Sequence, residues 1–241
     1  KFCDIETQEQ AREFILWGCY EWAIRDSAND TCGAVLNLLK PIEKILSESS
    51  MGVISAPTFD DFLGIYEDRL VRFVATVRNC VQENQRGMEE INPTMLYTLA
   101  TPYSIGIGRD AFAEGGVEHG NNTGIWTVGL GTTVDALLAV KEIVYEKKIM
   151  TLSALGQLMA EDWRGREDLR LRMLRSKRKW GNNDLEANAL GREISKALSP
   201  AVNGRPNSRG GSFTMSGHNA RQFIEEGRRT GATPDGRKAG E

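Results

Sequence analysis

Gly18-Cys19-Tyr20-Glu21 places a sulfur and a carboxylate two residues apart, directly after a short apolar run. The glycine frees the backbone to turn, and in an extended loop side chains at i and i+2 reach the same space. Cys19 with Glu21 is therefore a candidate pair for hydrogen abstraction and proton transfer, or for nucleophile and base. A thiolate nucleophile would want a cation beside it. A neighbouring Glu⁻ instead raises a thiol's pKa, so the pair suits the chemistry of a neutral sulfur. The competing reading is a Cys buried as a small hydrophobe.

Other signals are weaker. Gly106-Ile107-Gly108-Arg109-Asp110-Ala111 fits the dinucleotide pattern G-x-G-x-x-A, but only Tyr103-Ser104-Ile105 follows Pro102, too little for the strand the motif needs, and another glycine tract follows it. Gly231 to Gly236 has the glycine spacing of a P-loop and continues Arg237-Lys238-Ala239, without the Lys-Ser/Thr pair that reaches phosphate and magnesium. The basic run Arg164, Arg166, Arg170, Arg172, Arg175, Lys177, Arg178 and Lys179 reads as a solvated helix face or a subunit contact. A nucleic-acid groove would want interleaved aromatics and a basic domain.

Composition bounds the class. The chain has 241 residues, 30 Lys+Arg against 33 Asp+Glu, a net charge of −3 and 40% hydrophobic residues. These are the proportions of a globular protein with no global pull toward nucleic acid or anionic membrane. No apolar run approaches the ~20 residues that span a bilayer. Cys3, Cys19, Cys32 and Cys80 form no C-x-x-C pair, and with only His119 and His218 a zinc site of usual spacing is not expected. Four thiols in this length fit a reducing cytoplasm better than a disulfide framework. The start at Lys1 and the stop at Glu241 read as those of a piece of something longer.

The elements that must position the pair follow from periodicity. A capping box at Thr7 opens a short helix through Phe14, and Ile15-Leu16-Trp17 reads as a buried strand. Leu36 to Ser49 has helical spacing. The clearest helix follows Pro57, with Thr58 and Asp61 as its cap and an apolar face from Phe59 to Val81; Cys80 reads as a packing residue of it. The glycines from Gly115 to Gly131 favour short extended segments. Helices are expected again from Thr133 to Lys148, from Thr151, from Glu167 to Trp180 and from Asn183 to Leu198, with Ser212–Met215 as a strand. The class is α/β, helix-rich.

With these blocks in order, the chain from about Ile15 to Glu241 resembles the glycyl radical enzymes of the pyruvate formate-lyase and glycerol dehydratase type. Gly18-Cys19-Tyr20-Glu21 is similar to the family's G-C-x-E active-site loop. Asn37-Leu38-Leu39-Lys40-Pro41 resembles the helix that follows it. Gly115 to Gly129 resembles the G-G-x-x-Y-N…G…G stretch, with His119-Gly120-Asn121 in place of Tyr-Asn. Trp180-Gly181-Asn182-Asn183-Asp184 is similar to K-Y-G-N-D-D. Thr230-Gly-Ala-Thr-Pro-Asp-Gly-Arg237-Lys-Ala-Gly-Glu241 matches T-G-A-T-P-D-G-R-K-A-G-E.

The resemblance implies part of a ten-stranded α/β barrel with the cysteine loop in its lumen, residues 1–241 being a single partial barrel domain without the N-terminal part and the C-terminal glycyl radical domain. It implies that Cys19 carries a thiyl radical and Glu21 is the general base, for C–X or C–C cleavage of a small organic substrate by a lyase, dehydratase or decarboxylase. No cofactor or metal is held. The protein glycyl radical, in an R-V-x-G-Y motif not found in these residues, is installed by a separate S-adenosylmethionine iron–sulfur activase. The partners implied are that activase, a small-molecule substrate and a second copy in a homodimer, in the cytoplasm, with neither nucleic acid nor membrane. Diol-dehydrating members carry a second acidic residue before the Asn-x-x-Lys helix; Asn29-Asp30-Thr31-Cys32-Gly33 stands there, with Asp30 its acid. The adjacent cysteine pair of pyruvate formate-lyase itself is missing, which disfavours formate C-acetyltransfer. That activity and an inert scaffold are the alternatives.

Overall fold

A computed structural model describes residues 8–17, 21–24, 28–218 and 221–241. In chain order the elements are α1 (Gln8–Arg12), β1 (Phe14–Trp17), β2 (Glu21–Ile24), β3 (Ala28–Asn37), α2 (Lys40–Ser50), α3 (Phe59–Ile91), α4 (Met95–Leu99), α5 (Pro102–Ile107), β4 (Asn121–Val128), α6 (Leu130–Val140), α7 (Leu152–Ala160), α8 (Glu167–Leu174), α9 (Leu185–Val202), β5 (Gly210–Gly217) and α10 (Gln222–Arg228). The chain forms two compact units. One gathers Lys1–Val35, Val74–Trp126 and Ser199–Ser216; the other gathers Leu36–Phe73, Thr127–Leu198 and Gly217–Glu241.

The five strands form one sheet in sequence order, β1-β2-β3-β4-β5. β1 and β2 pair antiparallel, Phe14 opposite Ile24 and Trp17 opposite Glu21. β2 turns back onto β3, with Ala23 opposite Asn29. At β4 and β5 the starts meet through Asn121 N–H to Arg209 C=O (3.3 Å) and the ends through His218 N–H to Thr127 C=O (2.8 Å), so these strands run parallel. Helices connect parallel strands here, as right-handed crossovers in α/β folds require.

Local chemistry explains most boundaries. Thr58 and Asp61 form a reciprocal cap, Asp61 N–H to Thr58 Oγ1 (3.2 Å) and Thr58 N–H to Asp61 Oδ2 (3.0 Å). From there Phe62, Tyr66, Leu70, Val74 and Val81 are buried along one face of α3. Each full burial of that kind contributes about 1.5–3 kcal/mol. Thr151 accepts from Ala154 N–H (3.1 Å) and caps α7. Asp184 accepts from Ala187 N–H (2.9 Å) and starts α9.

Several sequence expectations change. The first helix ends at Arg12, because Phe14 belongs to β1. β1 is a strand, but Ile15 and Leu16 (76% exposed) are not buried. The helix expected from Leu36 begins at Lys40: Leu36 and Asn37 finish β3, and Pro41 in the first turn needs no N–H partner. Cys80 is exposed, off the buried stripe of α3. The basic helix stops at Leu174, six residues early. α6 continues into a π-helical turn, Lys141–Glu146, a widening that the apolar spacing does not announce.

Candidate active site

Glu21 opens β2 and Asp30 and Cys32 lie on β3, and the antiparallel pairing of these strands brings the chain back alongside the carboxylate. Period two puts Asp30 and Cys32 on one face of β3. That face is polar and half-buried, and its charges act on one another. Burial pushes the Asp30 carboxyl above its ordinary value of 3.8, hydrogen bonds from Thr214 and Trp22 oppose this, and Glu21 pushes it further up. Thr214 of β5 donates its hydroxyl to both Asp30 oxygens (3.0 and 3.2 Å). Trp22 is buried and stacks on Phe14, its ring centroid 6.3 Å away. Cys32 is an exposed residue whose sulfur lies beside the two acids; burial of the sulfur, then Glu21, raise its pKa to about 11. A thiol beside carboxylates is held protonated; this is Cys32, not the Cys19 of the Cys-x-Glu spacing.

Cys19 lies outside the described residues; the structure describes Glu21, two positions on. Glu21 is brought together with Asp30 and Cys32, and Asp30 therefore joins the candidate set on geometry as well as on its place before α2. Thr214 and Arg209 were not singled out by sequence reasoning. Neither has a motif, and both reach this region only because β5 belongs to the same sheet.

Arg209 stands just before β5 and is 7% exposed. Its Nε donates to Phe112 C=O (2.9 Å) and one Nη to Thr31 Oγ1 (2.9 Å), while the guanidinium lies 4.3 Å from the Phe112 ring centroid. Burial lowers its pKa to about 10, with Asp110, Tyr97 and Asp30 acting the other way.

The remaining motifs have structural roles. Gly108, at φ +67°, ends the six-residue α5, and a helix rather than a strand precedes it, which is not the geometry of a dinucleotide site. In the T-G-A-T-P-D-G-R block, Thr233 Oγ1 donates to Asp235 (2.5 Å), Gly231 N–H to Glu43 (2.5 Å) and Arg237 to Gly231 C=O (2.8 Å), so the loop is locked against α2. Among the described residues no three His, Cys, Asp or Glu side chains cluster as a metal site would require, and no helix is long and apolar enough to cross a membrane.

The described residues form a five-stranded sheet with connecting helices, with two carboxylates and a thiol on neighbouring strands β2 and β3. The family model "pyruvate formate lyase-like" matches residues 4–222, and the chain belongs to that family. It is 29% identical over 209 residues to an isethionate sulfite-lyase of Desulfovibrio desulfuricans, covering 79% of this chain and 24% of that protein. It is 25% identical over 249 residues to the (2S)-3-sulfopropanediol dehydratase of Klebsiella oxytoca, covering 96% and 30%. The glycerol-bound B12-independent glycerol dehydratase of Clostridium butyricum superposes with a TM-score of 0.83 at 26% identity, over 98% of this chain and 31% of that one. A structure on 1,2-propanediol dehydration in Roseburia inulinivorans gives a TM-score of 0.85 at 23% identity. The fold is thus part of the glycyl radical enzyme barrel, and the chain spans about a quarter to a third of the length of these relatives.

Proposed function

We propose that these residues are the cysteine-loop portion, a single partial barrel domain, of a glycyl radical lyase or dehydratase acting on a small hydroxylated substrate. The observation that carries this reading is the meeting of Glu21 with Asp30 and Cys32 immediately after Cys19, in a chain whose relatives include a sulfite-lyase and a diol dehydratase.

In this reading the Cys19 thiyl takes a hydrogen atom from the carbinol carbon and becomes a thiol. Glu21 accepts the hydroxyl proton. The ketyl so formed expels its leaving group from the neighbouring carbon as an anion, carrying away the electron pair of that bond. Cys19 then returns its hydrogen atom to the product radical and is a thiyl again. Asp30, held by Thr214 and Trp22, orients the substrate. The glycyl radical that feeds Cys19, the S-adenosylmethionine iron–sulfur activase that makes it, a homodimeric assembly and a cytoplasmic location belong to the same proposal. Formate C-acetyltransfer is not favoured, because Cys19 stands between Gly18 and Tyr20, with no adjacent second cysteine.

The test uses the full-length parent protein, activated anaerobically. Glu21→Gln keeps the glycyl radical signal and loses roughly 10²–10⁴ in turnover, as removal of a general base does. Undiminished turnover would refute the role of Glu21.

A further inference from the structure

The loop after the π-helical turn and the start of α7 border a cavity of about 570 Å³, within the roughly 300–1,000 Å³ of small-molecule sites. Its wall combines apolar side chains, Ile54 and Met150 among them, with polar groups, and Lys148 is the one charged residue of the lining. The π-helical turn closes with Ile149 N–H on Ile143 C=O (2.8 Å), which leaves Lys148 left-handed at φ +46°. Lys148 is exposed and has no acid partner among the described residues. Thr151 caps α7 by accepting from Ala154 N–H (3.1 Å), and the first-turn N–H groups of Leu152 and Ser153 have no partner within the helix. Such a helix end favours an anion. A second observation points the same way. Ser49, 2% exposed, lines the cavity from the last turn of α2, and its buried hydroxyl has no partner among the described residues. The unmade hydrogen bond of a buried hydroxyl costs stability, and an oxygen of a molecule in the cavity would complete it. Tyr145 donates its hydroxyl to Ala56 C=O (2.9 Å) and ties two sides of the cavity together.

We propose that this cavity binds a small organic anion, its carboxylate or phosphate head held by Lys148, the first-turn N–H groups of α7 and the Ser49 hydroxyl, and its apolar body lying on Ile54 and Met150. Ammonium, hydroxyl and backbone N–H groups all donate, so one oxyanion satisfies each of them, whereas a neutral alcohol leaves the charge unanswered. No carboxylate lines the cavity to oppose it. All these residues belong to the second unit, while Glu21, Asp30 and Cys32 belong to the first, so the inference does not rest on the radical reading.

The test is calorimetric titration of the full-length, unactivated protein with hexanoate, with hexyl phosphate and with neutral hexanol. At least one anion is expected to bind at millimolar concentration and more tightly than the alcohol, and the tighter of the two anions tells a carboxylate site from a phosphate site. Lys148→Gly removes the cation at a backbone position that suits glycine, so the fold is kept. It should weaken binding of that anion roughly 10-fold, as loss of a charged hydrogen bond does. Ser49→Ala should weaken it roughly 3-fold without lowering the melting temperature of the ligand-free protein, because the hydroxyl it removes has no partner there. Failure of both anions to bind contradicts the inference. So does hexanol binding as tightly as the anions, which would make the cavity a merely apolar groove. Anion binding that survives Lys148→Gly unchanged overturns it as well, since the anion would then sit elsewhere.

Discussion

Two charged regions of this chain are built to opposite ends. In the second unit part of the basic run, with Lys141 and Lys147, is paired with acids. Lys141 reaches Glu186 (2.5 Å), Arg178 binds Glu186 and Glu146, Arg172 and Lys147 both hold Glu142, and Lys179 lies between Asp135 and Asp235. Burial works to raise Glu142 and Glu186, but the hydrogen bonds from Lys and Arg outweigh it, and both carboxyls fall below their ordinary value. In the first unit the signs reverse. Asp30 and Cys32 are held above their usual values and Arg209 below. Ion pairs hold the carboxyls of the second unit down, whereas burial and neighbouring acids push Asp30 and Cys32 up, the kind of perturbation the proposed site draws on.

The comparison can be broken in order of expected effect. The largest lies in the packing that frames the paired region. A Cβ on Gly156 of α7 would stand 2.1 Å from the Leu46 carbonyl oxygen of α2, so Gly156→Ala is expected to cost about 3 kcal/mol of stability although Ala is the better helix former. A melting curve within a degree of the parent's would contradict that.

Next comes Asp30→Asn. A carboxyl whose folded pKa is raised loses stability as pH climbs from its unfolded value through the folded one. Removing its charge should therefore raise the melting temperature at pH 7, while turnover of the parent enzyme falls roughly 10²-fold through lost orientation. A variant that is both less stable and fully active would show the face to be structural.

Glu186→Gln should do the reverse, losing about 1 kcal/mol, a modest figure because the pair is about one-third exposed, with turnover unchanged. Since Glu186 is depressed, its contribution is present above its unfolded value of 4.5 and fades as pH falls through the folded one. The stability difference between parent and variant, measured by denaturation across that range, should close in acid. The smallest effect is expected of Cys32→Ser, which removes a protonated thiol with no assigned step and should leave turnover within about twofold.

Much of this was readable from sequence where one force dominated. The Thr58–Asp61 cap and the buried stripe of α3 follow from side-chain chemistry and a 3.6-residue period alone. β3 did not announce itself, because Asn29-Asp30-Thr31-Cys32-Gly33 has no apolar alternation: one face carries the candidate site. On the other, a Cβ at Gly33 would stand 2.5 Å from the Thr123 side chain, leaving no room for an apolar residue. The basic run is a solvated face only in part: Arg164, Arg172, Arg175 and Lys177 are exposed, whereas Arg170 and Lys179 are mostly covered, and partners such as Glu142, Glu146 and Asp235 lie tens of residues away. The pairing of Cys19 with Glu21 was proposed from spacing, and of the two only Glu21 lies among the described residues. Arg209 was not legible, since its burial, with one Nη that no described residue accepts from, exists only in three dimensions.

The most direct test of the proposed radical chemistry is Cys19→Ser in the full-length protein, followed by EPR and product analysis after anaerobic activation. An O–H bond is much stronger than S–H, so serine cannot take up the radical from glycine. The account predicts a normal glycyl radical signal with no turnover. Product formation by Cys19→Ser, or its loss in Cys32→Ser alone, would contradict the assignment and move the reactive sulfur to Cys32.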